Sequence, residues 1–253
     1  MNRLSGKNVL VTGASQGIGA AIAKALIEAG CHVCMHYFHS DEMPKALQKK
    51  AEGMGLKACI VQADLTKEEE VIRAVKTTTD FLGSIDILVN NSGSLVERRM
   101  LQDVDLSYLQ TVLDINLKTM MLVTRECLPF FNQSAGSSII NMASLAGRKG
   151  GHAGSLVYST AKGAVLTWTR SLAGELAPKG IRVNAVAPGF IEGTNFHETH
   201  TSKESAEKNI MEIPLGRSGC PEDVARAVVF LAGEYDGFIT GATLDINGGI
   251  YCA

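Results

Sequence analysis

Three side chains within residues 141–162 are of the types that together exchange a proton with a substrate oxygen. Tyr158 and Lys162 stand four apart in a segment of helical pattern, so both project from one helix face about one turn apart. A free tyrosine titrates near ~10, and an ammonium fixed beside it favours the phenolate and draws that value toward working pH. Tyr158 is therefore a candidate proton donor and acceptor. Ser144 closes the apolar run 138–143 and is placed to hold a substrate oxygen by hydrogen bond while Tyr158 exchanges its proton. A Tyr-x-x-x-Lys pair by itself is more often an exposed helix pair. The elements that must position these residues decide between the two readings.

A nucleotide site is written near the N-terminus. Residues 7–12 read as a buried strand, and Gly13-Ala14-Ser15-Gln16-Gly17-Ile18-Gly19 follows directly, opening an Ala-rich helix over 20–29. Gly13 allows the tight turn, Gly17 lets the backbone approach a pyrophosphate, and Gly19 permits close helix packing. Free N–H groups at the helix start attract the anion. Ser15, Gln16 and Ile18 lie in the same turn and join the candidate cofactor-binding set. The second strand, 32–37, ends in Tyr37-Phe38-His39-Ser40, near where such a turn-and-strand unit reads the adenosine ribose. No acidic residue stands there. A carboxylate would repel a 2′-phosphate, so its absence leans toward NADP over NAD. No Arg stands at position 16 or just after the strand, so a phosphate would rest on Ser15, His39, Ser40 and backbone donors. Asp41 and Glu42 read as helix-start residues.

Helix and strand patterns then alternate: a polar helix over 46–54, a strand over 57–62, a helix over 67–82 and a strand over 86–90. Such alternation predicts an α/β fold with a doubly wound, mostly parallel sheet and helices on both faces. Asp64, followed by Leu65, closes the third strand as a helix cap, a contact to the adenine amino group, or both. Asn90-Asn91-Ser92-Gly93 closes the fourth strand at the carboxyl edge, a small, flat loop suited to a cofactor lying across the strand ends. A long helical pattern over 105–131 sets Asn116 among the apolar Leu109, Val112, Leu113, Leu117 and Met121. That amide is either a satisfied core polar group or the holder of a water that links Lys162 to solvent. Residues 181–187 form a sixth strand, closed by the rigid turn Pro188-Gly189, with Ile191 just beyond. Residues 190–212 are polar and poorly periodic and read as a lid over the substrate. Pro221 starts a last helix, and 241–249 carry a seventh strand.

Composition narrows the partners. The 253 residues, 45% hydrophobic, can bury a large core in one domain spanning 1–253. With 24 basic against 26 acidic residues and no basic stripe, the expectation is a small-molecule partner, with no nucleic acid and no membrane. No apolar run approaches ~18 residues and no signal-peptide pattern opens the chain, so a soluble, cytoplasmic protein is expected. Cys31-His32-Val33-Cys34 falls in a strand, where residues three apart point to opposite faces, which argues against a metal or redox pair. His197-Glu198-Thr199-His200 has the wrong spacing for a zinc peptidase, so no metal site is expected.

Taken together, 12–19, 90–93, Asn116, Ser144, Tyr158-x-x-x-Lys162 and Pro188-Gly189 resemble the short-chain dehydrogenase/reductases along essentially the whole chain. The resemblance implies a single Rossmann-type domain, an NAD(P)-dependent oxidoreductase and a homotetramer. It also implies the tetrad Asn116, Ser144, Tyr158, Lys162. In it Tyr158 acts as acid or base and Ser144 orients the carbonyl. Lys162 holds the nicotinamide ribose and lowers the Tyr158 pKa, and Asn116 anchors a water relay. Hydride passes between nicotinamide and substrate carbon, and a cationic ring adds to the pull on the Tyr158 proton. In a tetramer, the helices that begin near 105 and 156 pack about two-fold axes. Two departures stand out. Ser92 replaces the more usual Ala, and the Ser144 to Tyr158 interval is one residue longer, through the loop 150–154, which reshapes the substrate pocket.

For substrate, the overall pattern looks like 3-oxoacyl-acyl-carrier-protein reductases. The glycine-rich loop with Leu156-Val157-Tyr158, and Phe196-His197-Glu198 in the lid, are also similar to reductases of sugar-derived keto or aldehyde acids. Arg98, Arg99, Arg148 and Lys149 lie on loops near the expected pocket, either to pair with a carboxylate or as solvated surface charge. A catalytically silent dinucleotide-binding sensor or scaffold is the alternative class, and the intact tetrad argues against it.

Overall fold

Strands that are apolar on both faces must be covered on both. Those here are Asn8–Val11 (β1), His32–Tyr37 (β2), Ala58–Gln62 (β3), Ile87–Asn90 (β4), Ser137–Met142 (β5), Ile181–Pro188 (β6) and Thr243–Ile246 (β7). In the computed structural model, which describes residues 4–132, 136–194, 203–233 and 237–253, they form one sheet in the order β3-β2-β1-β4-β5-β6-β7. All six pairings are parallel. Alternate residues feed two cores. Val9, Val11, Met35, Val89 and Ile140 pack under α1 (Gly17–Glu28) and α9 (Pro221–Ala232). Leu10, Cys34, Leu88, Ile139 and Val183 face α3 (Glu68–Leu82), α5 (Thr119–Cys127) and α7 (Leu156–Leu176). Cys31 belongs to the first core and Cys34 to the second, as their spacing in an extended strand requires.

Strand order reverses between β1 and β4, and at such a switch the loops leaving the carboxyl ends splay apart and open a crevice. Several boundaries differ from the sequence expectation. The helix after β2 is α2 (Glu42–Gly53), which starts four residues early because Pro44 is tolerated in a first turn. The long helical pattern is broken into α4 (Leu106–Leu113), a π turn at Asp114–Lys118 and α5, and stops at Pro129. Within the expected lid lies α8 (Lys203–Met211), whose sequence is polar nearly all round and shows no apolar stripe. Residues 195–202, with Phe196, His197, Glu198 and His200, lie outside the described residues.

A buried chain of polar side chains sets the helices on the sheet beneath the crevice. Asn90 Nδ2 donates to Thr124 Oγ1 on α5 and to Asn141 Oδ1 on β5, each at 2.9 Å. Asn141 Nδ2 donates in turn to Thr169 Oγ1 on α7 at 3.0 Å, and the Thr169 hydroxyl donates to the Val165 carbonyl. Two strands and two helices are thus locked in one relative register. Buried donors and acceptors left without these partners cost more than the bonds contribute when made. Asn141→Leu is expected to lower stability by roughly 2 kcal/mol in urea unfolding, and Thr169→Val by about half as much. An unchanged urea midpoint for Asn141→Leu would show that the chain of amides does not seat α7.

Candidate active site

The crevice at the β1/β4 switch is a cleft of about 1700 Å³. One wall is the glycine turn. Gly13 takes φ +66 and Gly17 φ +51, and a Cβ at Gly19 would collide with the Gly13 carbonyl. These positions therefore need glycine. Gln16 caps α1 without a side-chain hydrogen bond, so its side chain leaves the helix-start amides untaken. Ser15, Gln16, Gly17 and Ile18 all line the cleft, and so does His39 across from them. Asn91 ties this wall to β4: its Nδ2 donates to the carbonyls of Thr12 and Gly13, both at 3.0 Å. The N–H groups of Asn91 and Ser92 both bond Thr12 Oγ1.

Asp64 and Leu65 also line the cleft. Asp64 Oδ1 accepts from the Thr66 N–H at 3.1 Å and from its hydroxyl at 2.6 Å, closing a turn ahead of α3. The helix starts at Glu68 with Lys67 as its N-cap, so Asp64 lines the cleft but is not the helix cap expected from the sequence. Tyr37 and Ser40 do not line the cleft; Phe38 and His36 occupy that part of the wall instead. The strand's alternation explains it, since Tyr37 points away from the face on which His36 sits.

At the other end Ser144, Tyr158 and Lys162 meet. Ser144 caps α6 (Leu145–Lys149), its Oγ accepting from the Ala146 N–H at 3.1 Å, and it is hydrogen-bonded to Tyr158. The chain between Ser144 and Tyr158 runs through the loop 150–154, where Gly150 and Gly154 take positive φ. Lys162 is buried, donates to the Met142 carbonyl at 2.8 Å, and lies 5.8 Å from the Tyr158 ring centre. Two glycines make room for it. A Cβ at Gly93 would sit 3.0 Å from Lys162 Nζ and 2.8 Å from Asn116 Oδ1, and one at Gly147 2.6 Å from the Lys162 backbone. Pro188, Gly189 and Ile191 close the wall.

Asn116 is buried and does not line the cleft. Its Oδ1 accepts from the Ser94 N–H at 3.1 Å, and its Nδ2 donates to the carbonyls of Ser94 (2.7 Å) and Val112 (2.9 Å). Ser94 Oγ then accepts from the N–H of Val96, a β-branched residue at φ +68 on the cleft wall. That backbone is strained and is held by this clamp.

A sequence model of the family described as Enoyl-(Acyl carrier protein) reductase matches residues 13–251. The 3-oxoacyl-[acyl-carrier-protein] reductase FabG of Aquifex aeolicus (strain VF5) is 39% identical over 249 residues, 98% of this chain and 99% of its own. The chain belongs to the short-chain dehydrogenase/reductase family. Among solved structures, a short chain dehydrogenase from Burkholderia cenocepacia J2315 in complex with NADP superposes with TM-score 0.91 at 32% identity, covering 98% of this chain and 99% of that one. The NADH-dependent reductase A1-R′ responsible for alginate metabolism superposes with TM-score 0.90 at 31% identity over 100% of both chains. Like its family, the protein is an oxidoreductase that uses NAD(P), and the glycine turn fits that group.

In this short-chain dehydrogenase/reductase site, the protein's own groups push the Tyr158 hydroxyl up to about 12 by burial, with the Ser144 hydrogen bond acting against it. The lowering expected from the sequence counts also on a cationic nicotinamide ring. Burial also pulls Lys162 down to about 8. Closure from water dominates over the attraction between the two. The basic residues near the pocket divide. Arg148 pairs with Asp245 at 3.0 Å and donates to the Thr243 carbonyl, and Arg99 pairs with Glu97 and Asp105, so both are structural. Arg98 and Lys149 line the cleft. Sequence reasoning missed His36, Gly147 and Val96; only Gly147, a glycine inside a helical stretch, carried a visible signal.

Lys162 keeps its ammonium below about pH 8 and loses it above. Carbonyl reduction is therefore expected to fall as pH rises through about 8, and a kcat/KM flat to about pH 10 contradicts this role. Stability moves the other way. Between the folded value of about 8 and the unfolded value near ~10.4, the unfolded chain holds a proton that the folded chain lacks, so this group's contribution to stability rises with pH across that window.

Proposed function

We propose that the protein is an NADPH-dependent carbonyl reductase, acting on a 3-oxoacyl thioester, with Tyr158 as proton donor. The observation that carries the reading is the Tyr158 hydroxyl, kept protonated by burial and hydrogen-bonded to Ser144 at the cleft. Reduction of a carbonyl needs a proton at its oxygen, and this is the group poised to give it. When bound, the nicotinamide supplies the hydride. Gly13, Ser15, Gln16, Gly17, Ile18 and Gly19 would hold the pyrophosphate, His39 the ribose phosphate, and Asp64 with Leu65 the adenine. Asn91, Ser92, Gly93, Pro188, Gly189 and Ile191 would flank the nicotinamide half. Ser144 orients the carbonyl, and the Lys162 ammonium stabilises the phenolate left on Tyr158. Asn116 serves a relay only through its main chain, because its side chain is spent on Ser94 and Val112.

The lack of an acidic residue along Phe38-His39-Ser40 supports NADPH. The thioester is supported by full-length likeness to the Aquifex reductase and by the apolar wall of Leu95, Val96, Ala146, Phe190, Ile213 and Ile250. A sugar-derived keto or aldehyde acid is the second reading. It is favoured by Lys149, exposed on the wall and without an ion pair among the described residues, and by likeness to the alginate reductase. Residues 190–212 would act as the lid, since Ser205, Lys208, Asn209 and Glu212 line the cleft. The assembly would be a homotetramer of single-domain chains in the cytoplasm. Exposed Leu106 (77%) and Leu156 (51%) at the starts of α4 and α7 suit packing about two-fold axes. No helix among the described residues is long and apolar enough to cross a membrane.

Turnover of acetoacetyl-CoA and of a keto-uronate, each with NADPH and NADH, tests the reading. NADPH is expected to bind roughly tenfold tighter than NADH, about 1.4 kcal/mol, with the thioester the better substrate. Tyr158→Phe should lower kcat by about 10³ while cofactor affinity holds. A Phe variant with full turnover sinks the mechanism, and preference for the uronate with NADH selects the second reading.

A further inference from the structure

His36 occupies a place that no catalytic or cofactor role assigned above explains. It is a buried histidine on the cleft wall, in the middle of the adenosine end. Its Nε2 lies 2.9 Å from the Ala63 carbonyl at the end of β3, and its Nδ1 accepts the Gly13 N–H at 3.1 Å. A carbonyl only accepts, so Nε2 carries the proton and Nδ1 is left with the lone pair that Gly13 needs. One neutral tautomer satisfies both contacts; the imidazolium satisfies only one and sets two N–H groups against each other at Gly13. The His36 carbonyl also takes the Ala14 N–H at 2.8 Å. Both leading amides of the glycine turn are thereby bound back to this residue, and the residues whose amides follow, Ser15 to Ile18, line the cleft.

We propose that His36, as the neutral Nε2–H tautomer, is a positioning residue of the dinucleotide site: it clamps the glycine turn to the end of β3, and cofactor affinity requires it uncharged. The proposal rests on the cleft being the NAD(P) site. The surroundings support it. The glycine turn from Thr12 to Gly19 and the β4 loop from Asn90 to Gly93 contain no ionisable side chain. Across β3, Asp64 and Glu70 are engaged with Lys67, and Glu70 also with Arg73. On β2 and β3, Cys34 and Cys59 are paired across the ladder. Tyr37, His39, Asp41 and Lys45 follow, with Asp41 and Lys45 paired to each other. No charge among these holds an imidazolium in place; burial lowers the His36 pKa, with the Ala63 carbonyl opposing.

The test is NADH binding, followed by cofactor fluorescence, because NADH has no 2′-phosphate to titrate in the same range. Wild-type affinity is expected to be flat above about pH 7 and to weaken severalfold as pH falls toward about 5. His36→Asn, which keeps a neutral acceptor, should lose that acid-side weakening. His36→Phe, which keeps bulk without ring nitrogens, should raise Kd and the KM for NADH roughly tenfold at neutral pH, with kcat at saturating NADH within about twofold. Wild-type-like NADH binding by His36→Phe, or an acid limb that survives in His36→Asn, overturns the proposal. If His36→Phe does not fold, the pH profile of His36→Asn decides alone. A wild-type protein that binds neither NADH nor NADPH overturns the cofactor reading and the proposal with it, an outcome distinct from a variant that matches the wild type.

Discussion

An ammonium closed off from water is strongly destabilising unless acceptors replace its hydration, and Lys162 is such a group. It meets the demand with the Met142 carbonyl, the last residue of β5. For that carbonyl to lie beneath α7, the helix must sit at one height on the sheet. The Asn90, Asn141 and Thr169 side chains set that height from inside, and Gly93 and Gly147 give the lysine its space from either side. Packing, register and catalytic geometry are therefore one constraint seen at three scales.

At the opposite end of the cleft the glycine turn itself carries no charge, while Asp64 lines the same cleft. The anion site proposed there consists of amides on a turn that needs glycine at Gly13, Gly17 and Gly19, and uncharged side chains hold that turn: Thr12 and Asn91 on one flank, His36 on the other. A fixed cation there would bind a phosphate more strongly but less selectively, and would be screened by salt. Backbone dipoles at a helix start give a directional site that needs no desolvated ion when empty.

Much of this was legible in the sequence where sterics leave one solution. The glycine turn, the alternation of helix and strand and the four-residue interval from Tyr158 to Lys162 are local, and the structure carries all of them. What was not legible depends on partners far along the chain. Arg148 reads as a candidate substrate cation until Asp245, nearly a hundred residues on, claims it. The π turn around Asn116 leaves an ordinary helical pattern in the letters, and α8 hides because a polar helix has no stripe. His36 sits in a strand of mostly buried residues, where nothing in its type distinguishes a clamp from core.

The sign of the Tyr158 shift shows why burial must be known before chemistry is assigned. Free in water, tyrosine and lysine release their protons at nearly the same pH, near ~10. Within the site one stands at about 12 and the other at about 8, because each side chain is driven toward its neutral form by the same closure from water. At neutral pH the resting pair is a neutral phenol beside an ammonium, and the attraction between them is small. In the proposed reaction, once the phenol gives its proton to a substrate oxygen, the same ammonium faces a phenolate in a dry cleft, where charge attracts charge far more strongly than in water. The stabilisation from Lys162 is thus concentrated in the state that follows proton donation, which is the property that separates a catalytic contact from a merely binding one.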